Sequence, residues 1–268
     1  MSGERIIPEH IKTIGEYYLY LKEVFIYEWC TSVISGDAEC LDLGCGDGYG
    51  TSLLSFSVKS IIGLDVDKGL IENAYVKYEK PNCSFKAYDG FKLPFPDGTF
   101  DVVIAFQVIE HINDDAVFIG EVKRALKKGG LFLLTTPNKA MRLPSGMAPW
   151  NIYHKREYSV DELRLLLENK FASARILGVS AKDGVMKIEL ARIKKNIAIA
   201  KWDFLNLRRR LPLPVAAFLV KGLNTLSSFR RSGKVNFAAI GDLNAGDVYR
   251  IEEAISDNSL DILGICRL

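Results

Sequence analysis

Short, continuously apolar runs alternate with longer helix-compatible stretches through the first two thirds of this 268-residue sequence. The runs fall at residues 40–43, 60–64, 83–87, 102–106 and 131–136. Strands that are apolar on both faces are typical of parallel sheets that helices cover on both sides. The pattern therefore predicts an α/β fold built on a doubly wound, mostly parallel sheet, and the terminal segments bring the expected strand count to seven.

The remaining segments indicate one main domain and one insertion. Residues 1–37 precede the first strand and are expected to form a helical cap. Because the last residues have strand composition, the main domain is expected to cover residues 1–180 and 259–268. A mainly helical insertion then occupies residues 181–258. From position 182 to 234 the chain has 13 basic and 3 acidic residues, although its formal net charge is only +2.

Composition excludes several classes of protein. Five cysteines without a C-x-x-C pair indicate neither a disulfide framework nor a zinc site, and they suit a reducing cytoplasm. No apolar run follows the N-terminus, and the most apolar late stretch, residues 213–226, contains Lys221 and is too short to span a bilayer. No RNA-binding motif accompanies the basic residues, so nucleic acid is not an expected partner.

A glycine-rich loop, GCGDGYG at residues 44–50, joins the first strand to a helix pattern. Glycines in this position let the backbone approach a ligand closely. The spacing matches neither the dinucleotide fingerprint G-x-G-x-x-G nor the phosphate-binding P-loop. Asp42 and Asp47 would repel a pyrophosphate, but they suit a cationic or amine-bearing ligand.

Carboxylates also follow the next two strands. Asp65 ends the second strand, where it can accept both hydroxyls of a ribose. Asp89 follows the third strand, where it can meet an adenine amino group. Each acid taken alone is more simply a helix cap or a solvated loop charge. In this order, however, they fit a nucleoside that carries an amino acid and a sulfonium.

Residues 40–138 resemble the class I S-adenosylmethionine-dependent methyltransferases. The motifs LDLGCGDGYG, GLDVD, FPDGTFDVVIAFQVIEHI and LKKGGLFLLTTPN occur in the order of that family. The resemblance implies a Rossmann-like fold, S-adenosylmethionine as the cofactor and S-adenosylhomocysteine as the product. It also implies the cofactor-binding residues, which are Asp42, Gly44, Cys45, Gly46, Asp65, Val66, Asp89, Gly90, Phe91, Phe106 and Gln107. Val66 and Phe91 are expected to flank the adenine.

Two further segments, GERIIPE at residues 3–9 and NIYHKREYS at residues 151–159, resemble a subgroup associated with sugar and glycan biosynthesis. Ile152 stands where that subgroup usually has proline. The resemblance implies methyl transfer to an oxygen of a small-molecule acceptor, with a sugar or glycan precursor as the leading candidate. A quinone-like, lipid or other small acceptor stays open, as does a cofactor-binding module without catalysis.

Removal of a proton from a weakly acidic hydroxyl requires a base, and histidine is the usual candidate. His111 follows Glu110 at the end of the fourth strand, and His154 lies in the polar, aromatic segment after residue 150. A catalytic role and a packing role are equally open for both histidines. Their neighbours Tyr153 and Arg156 are expected to bind the acceptor.

Two charged clusters have alternative interpretations. Asp114 and Asp115 indicate a helix cap rather than a metal site, so no metal is expected. The insertion contains the basic triplet Arg208, Arg209 and Arg210. This triplet suits a phosphate on the acceptor or weak association with an anionic membrane surface, and a solvated lid is the alternative. The oligomeric state is not indicated.

Overall fold

In the computed structural model, which describes residues 7–202 and 243–268, eight strands form one sheet. The strands are β1 (Glu39–Leu43), β2 (Ser60–Asp65), β3 (Cys83–Ala87), β4 (Phe100–Phe106), β5 (Leu126–Pro137), β6 (Ser173–Ala181), β7 (Tyr249–Glu252) and β8 (Asp261–Arg267). The α-helices of the described residues are α1 (Ile14–Cys30), α2 (Tyr49–Leu54), α3 (Lys68–Tyr78), α4 (Asp115–Ala125), α5 (Lys139–Arg142), α6 (Val160–Glu168), α7 (Asp183–Trp202) and α8 (Ala245–Val248).

The strand order is β3-β2-β1-β4-β5-β8-β6-β7. The strands from β3 to β5 run parallel, whereas β8 runs antiparallel to both β5 and β6, and β7 runs antiparallel to β6. The predicted α/β fold with a mostly parallel, doubly wound sheet is confirmed. Chain order reverses between β1 and β4, so the loops after these two strands diverge and leave a crevice at the carboxyl edge of the sheet.

The sheet has eight strands rather than the seven predicted, because a short strand lies within the expected insertion at residues 181–258. Strand β7 covers four residues and pairs with the end of β6. Its two apolar residues, Tyr249 and Ile251, are too few for the alternation to be recognised as a strand. The segment therefore adds an edge strand to the sheet as well as helix α7, while residues 203–242 lie outside the described ranges.

Helices cover both faces of the sheet. Alternate residues of a strand point to opposite faces, so each face has its own set of apolar side chains. Cys40 and Ile104 pack on one side with apolar residues of α1, α2 and α3. Leu41 and Val103, one position along each strand, pack on the other side with residues of α4 and α6. This arrangement explains why β1 and β4 are apolar throughout rather than alternating.

Side-chain caps begin the main helices. Thr13 with Glu16 and Ser159 with Glu162 form reciprocal capping boxes at α1 and α6. Asp114 accepts a backbone amide of α4 at 3.0 Å, which is the predicted helix cap. None of the helices in residues 7–202 and 243–268 combines the length and apolarity needed to cross a membrane.

The segment between β5 and α6, called here the 139–158 segment, begins and ends at one place in the fold. Asn138 and Tyr158 pair as an isolated parallel bridge, and the Lys139 amide donates to the Tyr158 carbonyl at 3.0 Å. The buried Asn138 side chain also donates to the Ser259 carbonyl at 2.9 Å. The two ends of the segment are therefore fixed next to each other beside the sheet.

Candidate functional site

The glycine-rich loop lies in the crevice between β1 and α2. Gly44, Gly46 and Gly48 have φ angles of 83°, 57° and 85°, which L side chains rarely adopt. A Cβ atom on Gly44 would overlap a methyl group of Val108. The loop therefore needs glycine at this position for both its backbone conformation and its packing.

Asp65 connects the glycine-rich loop to the end of β2. Its carboxylate accepts the Gly46 amide at 3.0 Å and the Asp67 amide at 2.9 Å. The side chain is largely buried and lines the cavity described below. A carboxylate offers about four lone-pair positions, so this position in the cavity wall suits an acceptor of ribose hydroxyls.

Asp42 lies beneath the loop, and the described cavity wall does not include it. Its carboxylate accepts the Thr51 hydroxyl at 2.6 Å and the Tyr27 hydroxyl at 3.0 Å. Burial raises the pKa of Asp42 to about 6, and the two hydroxyl donors oppose that rise. In this arrangement Asp42 holds α1 and α2 against the loop.

The predicted adenine contacts are only partly brought together. Val66 and Gly90 line the cavity. Asp89 and Phe91 do not line the described cavity wall, and Phe91 is 80% exposed. Asp89 accepts the amides of Phe91 and Lys92 at 2.9 and 3.2 Å, so it caps its own turn. Recognition of adenine by Asp89 and Phe91 stays a prediction.

A cavity of about 560 Å³ opens at the carboxyl edge of the sheet. Eight of the predicted cofactor-binding residues line it, namely Gly44, Cys45, Gly46, Asp65, Val66, Gly90, Phe106 and Gln107. Gln107 has a positive φ of 55°, which is uncommon outside glycine and often marks a functional site. The side chain of Gln107 donates to the Thr135 hydroxyl at 3.2 Å.

The two candidate histidines lie side by side but differ in access. His111 lines the cavity, and its Nδ1 is 3.2 Å from the Tyr153 carbonyl oxygen. His154 is buried and is not part of the described cavity wall. Its ring meets the His111 ring edge-on at 4.8 Å, and its Nδ1 is 2.9 Å from a Glu157 carboxylate oxygen.

Glu110, His111 and His154 form a small polar cluster in which the nearest ligand atoms lie within 4.8 Å of one another. In a tetrahedral zinc site with bonds of about 2.0–2.2 Å, ligand atoms lie roughly 3.3–3.6 Å apart. The Glu110 carboxylate also accepts the Thr136 hydroxyl at 3.0 Å. The Nδ1 atoms of the two histidines bond to other residues, with His111 Nδ1 beside the Tyr153 carbonyl and His154 Nδ1 beside Glu157.

Several charged residues of the cavity wall belong to no recognised motif. These residues include Lys22, Arg142, Glu189, Arg192 and Asp261. Lys22 forms a buried ion pair with Asp261, and Arg192 is 2.7 Å from Glu189. In the sequence each is a single charge within an amphipathic stretch, so only burial in the fold distinguishes it from a solvated side chain.

The predicted acceptor residues have different positions. Tyr153 lines the cavity. Arg156 does not line its described wall, because its guanidinium pairs with Asp115 at 2.8 Å and lies over the Tyr158 ring. This contact attaches the 139–158 segment to α4. The third predicted group, Arg208, Arg209 and Arg210, lies outside the described residues.

Comparison with known proteins places this geometry in a family. The methyltransferase domain family matches residues 41–134. A probable S-adenosylmethionine-dependent methyltransferase of Mycolicibacterium smegmatis is 34% identical over 213 residues, which cover 76% of this chain and 80% of the relative. The ubiquinone biosynthesis O-methyltransferase of Pelagibacter ubique is 28% identical over 164 residues, which cover 53% of this chain and 67% of that protein.

The solved structure of an S-adenosylmethionine-dependent methyltransferase from Thermotoga maritima has the same fold, with a TM-score of 0.57 at 13% identity over 98% of this chain and 97% of the other. The fold and the glycine-rich site define a class I Rossmann-like methyltransferase. The chain belongs to the S-adenosylmethionine-dependent methyltransferases, as its similarity to the mycobacterial relative shows. The left-handed glycines, the carboxylate of Asp65 and the cavity fit S-adenosylmethionine as the cofactor.

Proposed function

We propose that this methyltransferase modifies a hydroxyl oxygen of a small-molecule acceptor and that His111 accepts the proton of that hydroxyl. The observation that carries the proposal is the presence of His111 in the wall of the cavity that also contains the glycine-rich loop and Asp65. When bound, S-adenosylmethionine supplies an electrophilic methyl group on sulfur, and its transfer to oxygen leaves S-adenosylhomocysteine.

The contacts of His111 support its role as a base. A carbonyl oxygen can only accept, so the bond to Tyr153 assigns the proton of the neutral ring to Nδ1. The lone pair is then on Nε2, which takes the acceptor proton as the oxygen attacks the methyl carbon. Correct orientation of the acceptor and removal of this proton are the main tasks of the protein in such a displacement.

A sugar or glycan precursor is the acceptor that we propose. The resemblance of residues 3–9 and 151–159 to the glycan-associated subgroup supports it. The charged wall supports it as well, because paired charges offer many hydrogen bonds to a polyol. A quinone-like acceptor is the second candidate, since the relative from Pelagibacter ubique is a ubiquinone biosynthesis O-methyltransferase. A flat apolar ring would leave more of the polar wall without partners.

We also propose that the basic triplet Arg208, Arg209 and Arg210 favours an acceptor that carries a phosphate, or an anionic membrane surface. The basic excess around the triplet supports this proposal. A cytoplasmic location suits the five cysteines, which are all free thiols.

Mass spectrometry with neutral sugars, phosphorylated sugars, quinols and simple phenols tests the proposal, because each methyl transfer adds about fourteen daltons. The expected product is a methyl ether of a sugar. His111→Asn should lower kcat by about 10²–10⁴-fold, which is the usual contribution of a general base. Exposed His10 provides the matched control, and His10→Asn should retain full activity. Unchanged kcat in His111→Asn, or methylation of nitrogen or carbon alone, would overturn the proposal.

A further inference from the structure

Glu189 of α7 has a buried carboxylate, and one of its oxygens has no hydrogen-bond partner among the described residues. The side chain is only 4% exposed and it lines the cavity. Its Oε2 accepts the Arg192 side chain from Nε at 3.0 Å and from Nη2 at 2.7 Å. Its Oε1 is buried and has no hydrogen-bond partner among the residues that the structure describes. Buried polar atoms without a partner are rare, and each one calls for a specific explanation.

Three cations of the cavity wall are paired with carboxylates. Arg192 is bound to Glu189 itself, Lys22 pairs with Asp261, and Arg142 lies 3.4 Å from a Glu157 oxygen. The guanidinium of Arg142 also lies over the Trp150 ring at 4.3 Å. An anionic group beside Glu189 would meet a carboxylate whose cationic partner, Arg192, is already bound to it. This part of the wall therefore suits a neutral group that can donate a hydrogen bond.

We propose that Glu189 accepts a hydrogen bond from a hydroxyl of the acceptor other than the one that is methylated, and that α7 thereby selects acceptors that place a neutral polyhydroxylated group beside it. The inference rests on the proposed function because it takes the acceptor to be a polyol. It makes Glu189 a specificity-determining residue, with Arg192 holding its carboxylate in place. A phosphate on the acceptor would then bind elsewhere.

Glucose, mannose and their monodeoxy derivatives are suitable binding probes, with saturation-transfer NMR on the full chain in the presence of S-adenosylhomocysteine as the readout. Wild-type protein should bind at least one of these sugars and lose binding to the deoxy derivative that lacks the recognised hydroxyl. Glu189→Gln should weaken binding of the parent sugar at least tenfold and should no longer distinguish that deoxy derivative. Glu168→Gln, at the exposed end of α6, is the matched control and should behave as wild type.

The affinity for S-adenosylhomocysteine, measured by calorimetry, should be unchanged in Glu189→Gln, which establishes that the variant is folded. With a sugar that wild-type protein methylates as the substrate, the KM of Glu189→Gln should be at least tenfold higher than that of wild type, and its kcat should be within threefold of wild type. Wild-type protein that binds none of the sugars, or Glu189→Gln that binds them like wild type, would overturn the inference about α7. Failure of the proposed function is distinguished by the products, because wild-type protein would then methylate a quinol or phenol and no sugar, whereas failure of the inference alone would leave sugar methylation intact with an unchanged KM in Glu189→Gln.

Discussion

Asp42 illustrates how burial changes the behaviour of a single ionisable residue. The ordinary pKa of its carboxyl is 3.8, and burial raises it to about 6 in the folded protein. The folded state then binds the proton more tightly than the unfolded state does. Stability that depends on this proton is present below about pH 4 and is lost as the pH rises through about 6. At neutral pH the charged form costs about 3 kcal/mol of folding free energy, with 1.36 kcal/mol for each pKa unit.

Asp42→Asn removes this charge and retains an oxygen that can accept from Tyr27 or Thr51. Without cofactor, the free energy of unfolding of the variant at pH 8 should exceed that of wild type by up to about 3 kcal/mol. The difference should shrink toward pH 4, and urea unfolding across this range measures it. Asp257→Asn, at an exposed site, should show no such trend. A variant that is less stable than wild type at pH 8 would contradict this account of Asp42.

His154 and Glu157 are expected to act as one positioning unit for His111. Their buried bond of 2.9 Å fixes the His154 ring, which in turn packs edge-on against His111. His154→Asn and Glu157→Gln should each lower kcat about tenfold, and the double variant should lose little more, because residues that act as a unit are not additive. Steady-state kinetics on one acceptor measures kcat and KM for all three variants. Fully additive losses, or a change in KM alone, would show that the two residues act separately.

The glycine-rich loop requires glycine at some positions for its backbone conformation and at others also for lack of space. Single substitutions can separate these two requirements. Gly44→Ala adds a left-handed alanine and an overlap with Val108, so it should destabilise the protein by about 2–4 kcal/mol. Gly46→Ala has the conformational cost without a nearby atom, so it should cost only about 1–2 kcal/mol. Denaturant unfolding measures both values, and addition of Val108→Ala should recover part of the first loss. Equal losses in the two glycine variants would exclude the steric contribution.

The motifs made the loop predictable, whereas other elements of the site were not. Gly44, Gly46 and Asp65 belong to patterns in which neighbouring residues constrain one another, and the structure brings them to one cavity. Glu189 lies in a helix whose sequence is rich in lysine and arginine, where one more charge predicts only a solvated face. Its burial depends on how α7 packs against the rest of the fold, and a single sequence does not contain that information.

At the scale of the whole molecule, the predictable part of the fold is the central parallel sheet. Continuous apolar runs can be recognised without knowledge of their partners, because burial on both faces removes every polar position. The polar wall of the cavity, in contrast, could not be predicted from the sequence. Lys22, Glu189 and Asp261 come from the start, the later part and the end of the chain, and they meet only after the antiparallel strand β8 is in place. Such long-range pairing is invisible to local patterns.

The ends of the 139–158 segment are fixed next to each other by the bridge between Asn138 and Tyr158. Replacement of the residues between them does not shift the register of any strand, and the entropy of loop closure changes only slowly with length. The segment contributes Arg142, Tyr153 and Lys155 to the cavity wall, so a transplanted version from a relative would exchange part of that wall as one cassette. One short stretch of gene therefore encodes an exchangeable part of the cavity wall, whereas the glycine-rich loop and Asp65 are encoded elsewhere in the sequence.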